Sequence, residues 1–121
     1  MPYKLHYEKR DRYLYFHVTG EDNLEVSKAY FKEVFETSRT LDMHYILIEA
    51  DLKGALSTME MYELTDSLPD LAKGRYYKLA FIYRNATNRE EQEFGVTVAR
   101  NRGLDAQRLN SISEAEAWLT K

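Results

Sequence analysis

The sequence has no cysteine, which excludes disulfides and thiolate-held metals outright. A chain without thiols fits a reducing compartment. Proline occurs only at Pro2 and Pro69, and glycine only 5 times, so no Pro- or Gly-rich linker exists to separate domains. Internal repeats and low-complexity segments are lacking as well. No stretch approaches the roughly 18 apolar residues of a membrane span. The opening Met1-Pro2-Tyr3-Lys4-Leu5-His6 lacks the apolar run of a signal peptide, and a cytoplasmic location is the expectation. Neither sign of charge dominates: 17 Lys and Arg face 20 Asp and Glu, for a net charge of −3. That balance argues against a general nucleic-acid binder, which needs a concentrated basic surface. The one local cluster, Lys9-Arg10 with Arg12, is interrupted by Asp11 and reads as a solvated turn.

What the chain does have is apolar material. Its 121 residues are 44% apolar, enough for a single domain over residues 1–121 with a core that needs no staples. The 10 tyrosines suit strands and half-buried or interfacial positions.

Period-two alternation marks two strands at the start. Tyr3, Leu5 and Tyr7 share one face of the first. Leu14, Phe16 and Val18 share one face of the second, and Tyr13, Tyr15 and His17 the other. Lys9 to Arg12 joins them as a hairpin turn. A helix follows, beginning near Asp22 or Asn23, with Asp22 and Glu25 at capping-box spacing and apolar Val26, Ala29, Tyr30, Val34 and Phe35 at helical period. His44 to Glu49 is an apolar run, as in a parallel strand buried on both faces. Helix and strand then alternate. Ser57 with Glu60 caps a helix that should stop near Pro69, and Lys78 to Tyr83 is a strand. Asn88 with Glu91 opens a helix that Gly103 closes, and Ala106 to Leu109 is a short strand. Ser113 with Glu116 opens a last helix carrying Trp118 and Leu119, which should seal the sheet. Such alternation predicts an α/β fold: a mostly parallel sheet in sequential order, an antiparallel N-terminal hairpin and four helices.

In parallel sheets ligands bind beyond the carboxyl ends of the strands, where helix N-termini offer free N–H groups. The informative segment there is Glu49 to Thr58, in which Asp51, Lys53 and Gly54 lead into the hydroxyls of Ser57 and Thr58. Ser57 as an N-cap and Gly54 as a turn explain this segment structurally. Its functional reading is a partner-contact or modification point, since a phosphate would add roughly −1.5 to −2 charges at a helix start. Catalytic and metal constellations fail. His6, His17 and His44 lie on strands, with His6 and His17 facing each other across the hairpin and no carboxylate set beside them. Ser57 has no Gly-x-Ser-x-Gly elbow and no base, and Gly103 lacks the partners of a dinucleotide fingerprint. No catalytic residue, metal or cofactor is assigned.

Several local patterns carry a resemblance. They are Val18-Thr19-Gly20 closing the second strand, Ile46-Leu47-Ile48-Glu49-Ala50 before a turn, Asn101-Arg102-Gly103 ending a helix, and Ser113-Glu114-Ala115-Glu116-Ala117-Trp118-Leu119. In these and in element order the chain resembles the small stand-alone bacterial SpoIIAA-like or STAS-like domains over nearly its full length. The resemblance implies a non-catalytic regulatory module. Its better-known relatives are anti-sigma factor antagonists, which bind a partner kinase where the second helix opens and are phosphorylated there on Ser or Thr. The matching positions are Ser57 and Thr58, in Leu56-Ser57-Thr58-Met59 rather than the usual Asp-Ser-Ser-Gly style. The alternative is a carrier of a small apolar or anionic ligand or lipid, in a pocket lined by Met59, Met61, Tyr62, Tyr76, Tyr77 and Phe81. An enzyme built on Asp51, Lys53 and Ser57 ranks last, for want of a base paired to a nucleophile. A homodimer through the sheet face of Tyr13, Tyr15 and His17 fits any of these readings.

Overall fold

The structure is a computed structural model that describes residues 3–84 and 89–121. Its elements run β1 (Tyr3–Lys9), β2 (Leu14–Glu21), α1 (Leu24–Thr40), β3 (Tyr45–Lys53), α2 (Thr58–Ala72), β4 (Lys78–Tyr83), α3 (Arg89–Asn101), β5 (Asp105–Arg108) and α4 (Ile112–Leu119). The strands form one sheet in the order β1-β2-β3-β4-β5. β1 pairs antiparallel with β2, and every later pairing is parallel. This is the predicted α/β architecture, with His6 set opposite His17 in the hairpin register.

Alternation decides which side of each strand faces which layer. Leu14, Phe16 and Val18 of β2 are fully buried, in one core with α1, α2 and α3. Rings of Tyr30, Phe31, Phe35, Phe81 and Tyr77 pack in a chain through that core, with centroids 4.8 to 6.2 Å apart. The opposite face carries a smaller core, in which Tyr13, Tyr15, Leu47, Ala80 and Ile82 meet Ala115 and Leu119 of α4. The Tyr13–Tyr15 part of the face suggested for a homodimer is covered by α4 and Arg10: Tyr13 is buried, and the Arg10 guanidinium sits 4.3 Å from the Tyr15 ring centre. Trp118 is half-buried, with Lys78 Nζ 4.5 Å from its ring.

One cap and two helix boundaries differ from expectation. Asn23, not Asp22, caps α1, its Oδ1 accepting from Val26 N–H at 2.9 Å. Asp22 is otherwise engaged: its N–H donates to the Lys53 carbonyl at 2.7 Å, which ties it to the sheet. α2 runs through Pro69 and ends at Lys73, which takes a left-handed φ of 55°. Leu64, Leu68 and Ala72 are all buried along its inner side, and that packing outweighs the one backbone hydrogen bond proline removes. Ser111, not Ser113, caps α4, accepting from Glu114 N–H at 3.1 Å while the Glu114 carboxylate accepts from Asn110 N–H. Gly103 closes α3 as predicted, at φ +93°. The Asn88–Glu91 cap lies outside the described residues. Among them, no helix is long and apolar enough to cross a membrane.

Candidate functional site

The opening of α2 is built by local rules. Gly54 turns the chain at φ +86°, a conformation other residues rarely adopt. Leu56 and Met61 are buried in the main core, at the two positions a hydrophobic staple uses to fix the entry of the chain. Between them Ser57 makes a complete capping box. Its Oγ accepts from Glu60 N–H at 3.1 Å, and its own N–H donates to Glu60 Oε1 at 2.9 Å. Ser57 and Thr58 are both exposed, and Met59 on the same turn is 75% exposed.

The opening of α1 lies beside it. Lys28 Nζ reaches Glu63 Oε2 at 3.3 Å, bridging α1 to α2. Ser27 Oγ donates to Asp22 Oδ1 at 3.0 Å. Burial raises the Asp22 carboxyl above its ordinary range; the Ser27 hydrogen bond opposes this, and nearby Glu60 adds to it. Beneath them Tyr30 and Tyr83 are pushed up by burial, with the Asp22 charge contributing to both. The opening turns of the two helices thus bring Asp22 near Glu60 and tie Glu63 to Lys28, with Met59 exposed on the first turn of α2.

Asp51 and Lys53 belong elsewhere. β3 continues to Lys53, so both are strand residues and not part of the loop; the buried Leu52 between them continues the alternation. Pairing with Thr19 and Glu21 of β2 extends the strand this far. Their side chains share a shallow concavity of about 400 Å³ with Thr19, Gly20 and Glu21, which Ser57, Thr58 and Gly54 do not line. The five predicted site residues therefore divide between two places.

Further along that same sheet face is a network that local sequence reasoning misses. Tyr15 Oη donates to Glu49 Oε1, and Arg84 Nε donates to Glu49 Oε2 at 2.6 Å. Burial alone would raise the Glu49 carboxyl, but hydrogen bonds from Tyr15 and Arg84 outweigh it and hold it below its ordinary range. The Tyr15 hydroxyl is pushed up to about 12, by burial first and then by Glu49. One signal was present in the sequence: a carboxylate ending the apolar run Ile46-Leu47-Ile48 needs partners once buried.

The six residues expected to line a ligand pocket do not gather into one. Met61, Tyr77 and Phe81 are buried, whereas Met59, Tyr62 and Tyr76 are exposed. Under α2, Met61 and Phe81 help line a cavity of about 20 Å³, room for about one water and far less than a lipid. Among the described residues, no cluster of three or more His, Asp or Glu is placed to hold a metal.

A sequential five-stranded sheet with a leading antiparallel strand, three helices on one face and α4 on the other has the STAS or SpoIIAA-like fold. Among solved structures the chain is similar to an anti-sigma factor antagonist from Mycobacterium paratuberculosis. The TM-score is 0.65, with 98% of this chain and 95% of that chain covered. At 12% sequence identity the likeness is one of fold. No family model matches the sequence, and no curated protein matches it.

Proposed function

We propose that the chain is a non-catalytic regulatory module that binds a protein partner where α1 and α2 open. The observation that carries this reading is Met59, 75% exposed on the first turn of α2, which also bears Glu60 and is followed by Glu63. An exposed, flexible apolar side chain with carboxylates on its own helix suits a partner that presents an apolar socket edged with Lys or Arg. The fold supports the reading, since the similar solved structure is an anti-sigma factor antagonist. Ser57 and Thr58 are the modification points. A phosphate on Ser57 would meet the favourable N-terminal dipole of α2 and the unfavourable charges of Asp22 and Glu60, and would alter the charge a partner meets. Asp51 and Lys53, on the other sheet face, are left outside this contact.

The test places a photo-crosslinking amino acid at Met59, and separately at exposed Lys73 beyond the far end of α2, in native cells. One protein captured from position 59, lost on Glu60→Lys with Glu63→Lys and absent from position 73, is the expected result. Equal capture from both positions, or capture that ignores the charge reversals, overturns the proposal. Intact-mass analysis of protein from the same cells should show one phosphate that Ser57→Asn or Thr58→Ala removes.

A further inference from the structure

The two edges of the sheet are unequal. β5 is 4 residues long and carries Asp105 and Arg108, a short charged edge of the kind that resists pairing. β1 is 7 residues long, contains no proline, and keeps an unbroken register with β2 from Tyr3↔Gly20 to Lys9↔Leu14. Its outer side pairs with no strand among the described residues. A straight edge of this length presents a row of free N–H and C=O groups. Its side chains divide cleanly. Leu5 is partly buried and Tyr7 is 49% exposed on the side of α1, while Lys4, His6 and Glu8 are exposed on the other face.

We propose that β1 pairs antiparallel with β1 of a second copy, about a two-fold axis at His6, joining two sheets into one. Outward-facing backbone groups meet only when residues of the same parity stand opposite each other, and opposite residues share a face. An axis at His6 sets Lys4 against Glu8 of the second copy, twice by symmetry, on one face. On the other face it sets Leu5 against Tyr7 of the second copy, also twice. Neighbouring axes do less: at Leu5 the axis keeps an aromatic pair, Tyr3 against Tyr7, but sets Lys4 against His6, and at Tyr7 it sets His6 against Glu8 but Leu5 against Lys9. Lys4 and Glu8, the two formal charges of that face, oppose each other only in the His6 register. This assignment does not depend on the partner surface at α2.

Charge reversal tests it. By sedimentation velocity, K4E and E8K should each weaken the dimer roughly tenfold or more, because two opposite-charge pairs become like-charge pairs. Mixing K4E with E8K should restore a heterodimer, and the double variant K4E/E8K a homodimer. Circular dichroism confirms that each exposed-site variant is folded. Because the chain has no other cysteine, H6C adds an independent readout. Opposed residues in an antiparallel pair have Cα atoms about 4.5 to 5.5 Å apart, inside the disulfide range, so H6C should oxidise to a linked dimer while K4C alone should not. A wild-type chain that stays monomeric at high concentration, or a dimer indifferent to both reversals, overturns the proposal.

Discussion

Replacing Ser57 by alanine separates what the side chain does for the helix from what it does for a partner. The hydroxyl accepts from Glu60 N–H at 3.1 Å, and alanine leaves that donor to water. Only half of the capping box is lost, because the reciprocal bond from Ser57 N–H to Glu60 Oε1 uses the backbone and persists. The Met61 N–H bond to the Ser57 carbonyl, at 2.8 Å, persists as well. The site is exposed, so the cost falls in the middle of the capping range, about 1 kcal/mol. With a urea dependence of about 2 kcal/mol per molar, the unfolding midpoint should drop by about 0.5 M. Asparagine caps as well as serine, so Ser57→Asn should unfold with the wild type while removing the phosphate acceptor. Thr58→Ala, at the first helical position, should move the midpoint little. Equilibrium urea unfolding followed by circular dichroism reads all three. If Ser57→Asn falls as far as Ser57→Ala, the capping account is wrong.

Three further perturbations probe the packing and the charges. Glu49→Gln should lose about 1 kcal/mol at neutral pH, a charge-assisted bond discounted for the partly exposed Arg84. The folded state holds Glu49 below its ordinary range, so this stability is present above the unfolded-state value of about 4.3 and is lost as pH falls through the folded one. The gap between variant and wild type should therefore close below about pH 4, as thermal melts across pH would show. Asp22→Asn has the opposite sign: burial raises this carboxyl, so ionising it opposes folding, and the variant should be the more stable at pH 7 with the difference vanishing near pH 3. A Cβ at Gly95 would meet Met61 Sδ at 2.7 Å and Cγ at 2.8 Å, so Gly95→Ala should lose about 1 kcal/mol, overpacking exceeding the gain in helix propensity. Combined with Met61→Ala it should cost less than the sum of the two, in a double-mutant cycle by urea unfolding.

Features set within a few residues were legible before the fold was known. The alternation of Leu14, Phe16 and Val18, the apolar run of β3 and the Ser57–Glu60 box each need only near neighbours. Where two local solutions compete, distant packing chooses. Ser111–Glu114 and Ser113–Glu116 have the same spacing, but a start at Ile112 turns Ala115 and Leu119 toward the sheet, where both are buried. Pro69 signals a stop that the buried face of α2 overrides. Asp51 and Gly54 read locally as a loop, yet β2 extends β3 to Lys53 through pairing that begins some thirty residues earlier. The Glu49–Arg84 bond joins residues 35 apart, which no window of local sequence displays.

The strand order has one more consequence. In α/β sheets whose winding reverses, the helices on either side of the reversal leave for opposite faces, and the loops above them part into a crevice that can enclose a ligand. Here each crossover steps one strand onward in the same direction, and α1, α2 and α3 follow one another on a single face. Among the described strands no such reversal occurs. What the opening of α2 offers is relief: a capped serine and an exposed methionine on its first turn. On the proposed function, a partner would meet that surface from outside.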